Sequence, residues 1–473
     1  MQYFLRLFPI SGCVFLFVAA SLLCGCGYHA PAYYGGGRSV FPMDGYKLAF
    51  LEFGEFGSYK DPSELANARD LVRNTENPFL VIYIHGWHND ATSDDRNKFA
   101  NFLSRLARTN QIQNNQLKVV GVYFAWPGES LRIPGINTFT FWSRKLAAER
   151  VASNYDCLDA IQELSRVVRA HRPGYIVLIG HSFGGLILER TLAHTLRTLQ
   201  GQKGVSVPWD LALMLNPASD SLLARQLVES LDTFYTYDSQ RGFVPREEGS
   251  GDVIPENAPF VVELQSENDN ATRLTFPIGS ILGGIIGGTW AWNRVMIPGV
   301  DNGTRTPRGS ISEREFYLRT PGNNHYLINY EIKDVTDGSQ RIAPRSYDAF
   351  ELNLSYSPKQ RILDRIFYTS SPKNWKSAVN SNENLPPPWR VWRIRYAADV
   401  TPRKYRDNLR LPFWIVRVPS WIIDDHGGIW SDNSMALMAA LFRMRYPNPA
   451  PPKAYTLPSR PSRQREQLYR SVQ

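Results

Sequence analysis

The chain has 473 residues, 43% of them hydrophobic and 12% aromatic, enough to build one large core with an insertion, or two domains. Its formal net charge of +9 is spread between Arg390, Arg393 and Arg395 and the tail around Arg460, Arg463, Arg465 and Arg470. No recognition motif accompanies that charge, which argues against nucleic acid and fits contact with an anionic membrane surface. The four cysteines are placed so that they imply neither a disulfide framework nor a Cys-rich metal site.

The chain opens on a targeting pattern. Arg6 supplies a positive start and residues 14–23 an apolar run too short to span a bilayer comfortably. Leu23-Cys24-Gly25-Cys26 then resembles the cleavage box of bacterial lipoproteins. The resemblance implies that residues 1–25 are a signal peptide and that Cys26 carries the lipid; an uncleaved N-terminal anchor is the alternative. Gly27 stands where inner-membrane retention would want an aspartate, so the same resemblance favours the outer membrane of a Gram-negative cell. Cys13 and Cys24 fall in the removable segment, leaving Cys157 as a small core residue. Residues 26–45, rich in Gly, Tyr, Ala and Pro, read as a flexible tether.

From residue 46 the pattern alternates. Residues 46–53, 79–84, 119–124, 175–179, 211–215, 260–264 and 413–418 are apolar runs of strand length, several continuous, as strands covered on both faces should be. Between them, 94–109, 146–168 (read as one long helix), 221–231 and 434–444 carry helical spacing. Strands alternating with helices predict an α/β fold, a doubly wound and mostly parallel sheet. The core occupies 46–271 and resumes at 411–445. Residues 272–410 break the alternation: they are polar, Pro-rich and β-leaning, with strand patterns at 350–356 and 389–396, and read as a cap over the sheet, a separate second domain being the alternative. The cap begins with an apolar, glycine-rich stretch, 278–290, that suits either a mobile lid or a buried packing loop. Residues 446–473 read as a disordered, basic, Pro-rich tail.

The chemistry centres on Gly180-His181-Ser182-Phe183-Gly184, set between the strand at 175–179 and a helical pattern from Gly185. Strand, sharp turn with serine and helix is the context in which G-x-S-x-G presents a nucleophile. A serine hydroxyl also needs a base in hydrogen-bond reach, an acid to orient the base and N–H donors for the oxyanion. On such a sheet the chain order is serine, acid, histidine, each past the C-terminal end of a strand. His426, between the last strand and the last helix, is the expected base, with His325 as the weaker alternative inside the cap. Asp269, past the strand at 260–264, is the expected acid; Asp220 competes from the preceding strand and Glu267 comes third. Phe183 N–H and Trp87 N–H are the expected oxyanion donors, the second from His85-Gly86-Trp87-His88-Asn89 directly after the strand at 79–84. A zinc site from His85, His88 and Asp90 lacks helical ligand spacing, so no metal or other cofactor is expected.

Ile84-His85-Gly86-Trp87, Phe124-Ala125-Trp126-Pro127-Gly128 and Gly180-His181-Ser182-Phe183-Gly184-Gly185 together resemble the α/β-hydrolase superfamily, in particular a bacterial branch of lipase- and esterase-like hydrolases of unknown function. The resemblance covers roughly 46–270 and 411–445, and the long insertion departs from it. It implies a serine hydrolase in which Ser182, Asp269 and His426 match the nucleophile, acid and terminal histidine, acting on an ester-type small molecule or lipid. An acyltransferase or peptidase on the same residues, or a non-catalytic envelope lipoprotein that uses the fold for binding, are the alternatives.

Overall fold

The computed structural model describes residues 32–35, 39–43, 45–109, 112, 115–129, 141–171, 173–247, 253–255, 258–277, 280, 294–298, 307–324, 327–334, 350–355, 389–396 and 412–445. The signal segment, Cys26, His325, the stretch 281–293 and the tail lie outside them.

The strands are β1 (Val40–Met43), β2 (Tyr46–Glu52), β3 (Pro78–Ile84), β4 (Lys118–Ala125), β5 (Tyr175–His181), β6 (Leu211–Leu215), β7 (Tyr235–Asp238), β8 (Gly242–Pro245), β9 (Val261–Ser266), β10 (Arg294–Pro298), β11 (Pro307–Ser312), β12 (Tyr330–Asp334), β13 (Phe350–Ser355), β14 (Trp389–Tyr396) and β15 (Phe413–Val418). The α-helices are α1 (Pro62–Arg73), α2 (Asp95–Ala107), α3 (Phe141–Ser153), α4 (Tyr155–Ala170), α5 (Phe183–Leu199), α6 (Ser221–Phe234), α7 (Glu313–Leu318) and α8 (Asp432–Arg445). One sheet of 11 strands runs β1-β2-β4-β3-β5-β6-β9-β15-β12-β14-β13. From β2 to β12 every neighbour pair is parallel; β1, β14 and β13 pair antiparallel at the two edges. The fold is therefore α/β, built on a mostly parallel sheet.

Alternation along each strand assigns the two faces. Leu80, Ile82 and Ile84 of β3 join a core with residues of α1, α3, α4, α5 and α6. Phe79, Val81 and Tyr83 point the other way, into a second core with Phe99 and Leu103 of α2 and Met435, Leu437 and Leu441 of α8. Cys157 lies in the first core as a buried free thiol, and burial pushes its pKa up to about 12. A buried ion pair braces the entrance to β5: Arg169 reaches Asp210 at 2.5 Å, and Asp210 also accepts the Ile176 amide at 2.6 Å.

Chain order reverses around β3, which lies between β4 and β5. In open parallel sheets the crevice outside the carboxyl ends of the strands at such a reversal is where ligands bind. Ile84 is in register with Gly180, so the loops leaving β3 and β5 emerge side by side there.

Four sequence expectations need correcting. The helix expected over 146–168 is two, α3 and α4, because Asn154 takes an extended backbone and its side chain accepts the Asp156 amide as an N-cap. Helix α1 was not anticipated, although Asp61, which accepts the Ser63 amide, and Pro62 in the first turn are start signals. Part of the stretch expected to be a tether, 26–45, is packed: Tyr34 stacks on Phe50 at 4.0 Å, its amide donates to buried Glu52, and β1 pairs with β2. The fourth concerns the cap. Strands β12, β13 and β14 lie within 272–410 and extend the main sheet at its edge, since β12 finds an unpaired neighbour in β15.

Candidate functional site

Ser182 occupies the junction of β5 and α5 with φ 55° and ψ −120°, a conformation an L-residue adopts only under constraint. The constraint is visible. The Ser182 amide donates to Leu215 O at 3.1 Å, and its carbonyl accepts from the amides of Ala218, Gly185 and Leu186 at 2.9, 3.0 and 3.2 Å. At Gly184 the helix passes so close to β3 that a Cβ would stand 2.1 Å from Ile84 O and 2.5 Å from His85 O. That position admits glycine alone.

The structure brings Ser182, His426 and Asp269 together from three strand ends. Ser182 Oγ donates to His426 Nε2 at 2.8 Å, and His426 Nδ1 donates to Asp269 Oδ2 at 2.9 Å. Ser182 and Asp269 are buried, while His426 is half-buried, so the imidazole is the member nearest solvent. Asp269 follows β9 directly; its carboxylate also accepts Gln265 Nε2 at 2.9 Å and the Thr272 amide at 3.1 Å. Burial raises the Asp269 pKa, but the hydrogen bond and charge of His426, with the Thr272 contacts, outweigh it and hold the carboxyl below its usual range. An ionised acid, an oriented imidazole and a hydroxyl in line form the arrangement that lets a serine lose its proton as it attacks.

The competing residues stand elsewhere or in other roles. Asp220 caps α6, its Oδ1 accepting the Leu223 amide at 3.0 Å. Glu267 is exposed beside the buried Asp269. Asp425, next to the histidine, is exposed and accepts the Gly427 amide at 2.9 Å. His325 lies outside the described residues.

The loop after β3 sits against the serine. A Cβ on Gly86 would come within 2.8 Å of Ser182 Cβ, so only glycine permits this approach. The loop is braced from below by the Trp126-Pro127-Gly128 segment. Trp126 N and Nε1 donate to His85 Nε2 and His85 O at 3.0 and 2.8 Å, and their rings stack at 5.6 Å. His85 Nδ1 in turn donates to Gly86 O at 2.9 Å, so both its ring nitrogens are occupied within the loop, and burial pulls its pKa down. The His88 amide donates to Gly128 O at 3.0 Å, fixing the far side of the loop. Trp87 and Phe183 face each other across this bend with rings 6.2 Å apart. Phe183 is the first residue of α5, where a helix N–H has no partner within its own helix. Buried Arg144 holds the brace, donating to Pro127 O at 2.7 Å and pairing with Glu55 at 2.5 Å.

Sequence reasoning missed the residues beneath the site. Asn216, at φ 45° just past β6, and Gln265 on β9 join the segments that carry the histidine and the acid. Asn216 precedes Pro217 at a strand end, a turn signal that could have drawn notice. Another buried carboxylate, Asp95, accepts Tyr83 Oη at 2.8 Å and Trp430 Nε1 at 3.0 Å, tying the loop that follows His426 to α2. Among the described residues no group of three or more His, Cys, Asp or Glu side chains is placed to hold a metal ion, and no helix is long and apolar enough to cross a membrane. No protein-family model, curated protein or solved structure matches the chain.

Proposed function

We propose that the protein is a serine hydrolase of the α/β-hydrolase type that cleaves carboxylic esters through an acyl-enzyme. The observation that carries this reading is the hydrogen-bonded line from Ser182 Oγ through His426 to Asp269, set on a strained strand-to-helix turn at the crevice of a parallel sheet. In the proposed mechanism His426 Nε2 takes the Ser182 proton as Oγ bonds to the ester carbonyl carbon. Asp269 keeps the Nδ1 proton in place and stabilises the imidazolium. The amides of Phe183 and Trp87 receive the oxyanion. His426 then hands its proton to the leaving alcohol as the C–O bond breaks. Water, deprotonated by the same imidazole, releases the acyl group and restores Ser182.

Esters rather than amides, and lipid-like acyl groups in particular, rest on the sequence resemblance alone. The test is hydrolysis of short p-nitrophenyl esters by the wild type and by folded Ser182→Ala. Loss of at least three orders of magnitude supports the reading, and full activity in the variant refutes it. Product analysis with competing alcohol or amine acceptors separates hydrolysis from acyl transfer.

We further propose that the chain is exported and tethered to the cell envelope through a lipid on Cys26, with the outer membrane as its site in a Gram-negative cell. Metabolic labelling with palmitate should mark the wild type and not Cys26→Ala, and the variant should leave the membrane fraction. Equal labelling of both would refute the anchor.

A further inference from the structure

Catalysis of the proposed kind asks for an imidazole held to within about half an ångström between serine and acid. Yet His426 stands on a loop: Asp424, Asp425 and Gly427 around it are exposed, and the chain does not regain an α-helix until Asp432. What holds the loop is its own backbone. The His426 carbonyl accepts two hydrogen bonds, from His181 Nε2 at 2.9 Å and Asn216 Nδ2 at 3.1 Å. Asn216 Nδ2 reaches the Asp425 carbonyl as well, at 3.0 Å. On its other side Asn216 Oδ1 accepts the Ser266 amide at 2.8 Å and Gln265 Nε2 at 3.4 Å, and that same Gln265 nitrogen donates to Asp269. One buried amide thus ties the histidine loop to the strand end that leads into the acid, and the residue before the nucleophile ties the same carbonyl to β5.

We propose that Asn216 and His181 are positioning residues: they clamp the backbone of the His426 loop and thereby keep the imidazole in line between Ser182 and Asp269. The proposal rests on the catalytic reading of those three residues. Neither clamp residue stands in the hydrogen-bonded line from Ser182 through His426 to Asp269. Asn216 is fully buried, at 0% exposure. His181 must carry its proton on Nε2 to donate to a carbonyl, which leaves Nδ1 as a buried nitrogen without a partner, facing Gly86. Burial first, and then the His426 charge, pull its pKa down to about 4, so it remains neutral through the working range. Asparagine also suits its backbone, being one of the few side chains that tolerate a left-handed conformation.

The test compares four variants by rate of fluorophosphonate labelling and by kcat and KM on a p-nitrophenyl ester, with folding checked by thermal melting. Asn216→Gly keeps the backbone conformation and deletes the clamp. His181→Leu deletes the second donor, while His181→Gln restores an N–H at a similar reach. Asn216→Asp keeps the acceptor for Ser266 and sets an oxygen against the two carbonyls. Asn216→Gly and His181→Leu should each lower kcat and labelling by about 10- to 100-fold with KM within about threefold, the scale of a small misplacement of reacting groups. His181→Gln should recover most of the loss.

Asn216→Asp should lower kcat and labelling as well, because its second oxygen faces the Asp425 and His426 carbonyls where the amide N–H donated. A merely structural role would lower stability without a loss in kcat at unchanged KM and without the recovery in His181→Gln. Wild-type rates in folded Asn216→Gly and His181→Leu overturn the clamp while leaving the triad standing. Failure of the wild type to label overturns both. If Asn216→Gly does not fold, equal rates in His181→Leu and His181→Gln overturn the clamp.

Discussion

Replacing Asp269 by Asn tests the proposed acid more sharply than deleting it. His426 Nδ1 and Gln265 Nε2 at 2.9 Å and the Thr272 amide at 3.1 Å all point at this carboxylate as donors. An asparagine of the same shape offers one acceptor and one donor, so whichever way the amide turns, an N–H meets a donor. The imidazole relieves this by moving its own proton to Nε2. That nitrogen then presents N–H, not a lone pair, to Ser182 Oγ, and the serine has no base. The expected loss in kcat/KM is about 10⁴-fold, or about 5.4 kcal/mol of transition-state stabilisation at 1.36 kcal/mol per factor of ten. Asp220→Ala is the matched control. It removes the α6 cap bond to Leu223, which costs about 1 kcal/mol of stability and leaves kcat/KM within about threefold. Steady-state hydrolysis of p-nitrophenyl acetate and butyrate, with melting curves for both variants, reads the outcome. Asp269→Asn retaining more than a tenth of wild-type kcat/KM, or Asp220→Ala losing more than Asp269→Asn, would refute the assignment.

Two further outcomes follow from the same geometry. Gly184→Ala puts a methyl 2.1 Å from Ile84 O, a backbone atom in the central sheet that cannot yield, so the variant should lose more than about 4 kcal/mol and come out insoluble or melt far below the wild type; an unchanged melting temperature would show that the serine turn is looser than described. Glu189, buried on α5, and Glu64, buried on α1, have their carboxyls pushed up to about 8, chiefly by desolvation. The folded state therefore binds more protons than the unfolded one between their ordinary value of 4.5 and about 8, and stability falls as pH rises through that window. Glu189→Gln should flatten that fall and gain on the order of 5 kcal/mol over the wild type at about pH 9, with little difference near pH 4; parallel melting-temperature profiles would contradict it.

The fold core was legible because its strands are local apolar runs: 211–215 and 413–418 were read at the bounds the structure gives. The three residues proposed for catalysis can be singled out in the sequence as well, since each follows one of the apolar runs in the required order, and the structure brings them within hydrogen-bond reach. Preferring Asp269 over Asp220 as the proposed acid turns on which carboxylate caps a helix and which meets His426, a matter of side-chain direction that no spacing conveys. Asn216 and His181 escaped because their roles are contacts with a backbone more than 200 residues away in sequence. The split between α3 and α4 hangs on one asparagine whose cap competes with an otherwise unbroken helical pattern. Placing β12, β13 and β14 in the main sheet required knowing that β15 leaves an open edge, which alternation within a single strand does not reveal.

The most direct measurement is active-site labelling of the full-length protein with a fluorophosphonate, followed by peptide mass spectrometry. The account predicts one adduct, on Ser182, formed rapidly in the wild type and slowed at least 100-fold in folded His426→Gln. A folded wild type that takes no label, or takes it on another residue at the same rate in both proteins, would contradict it.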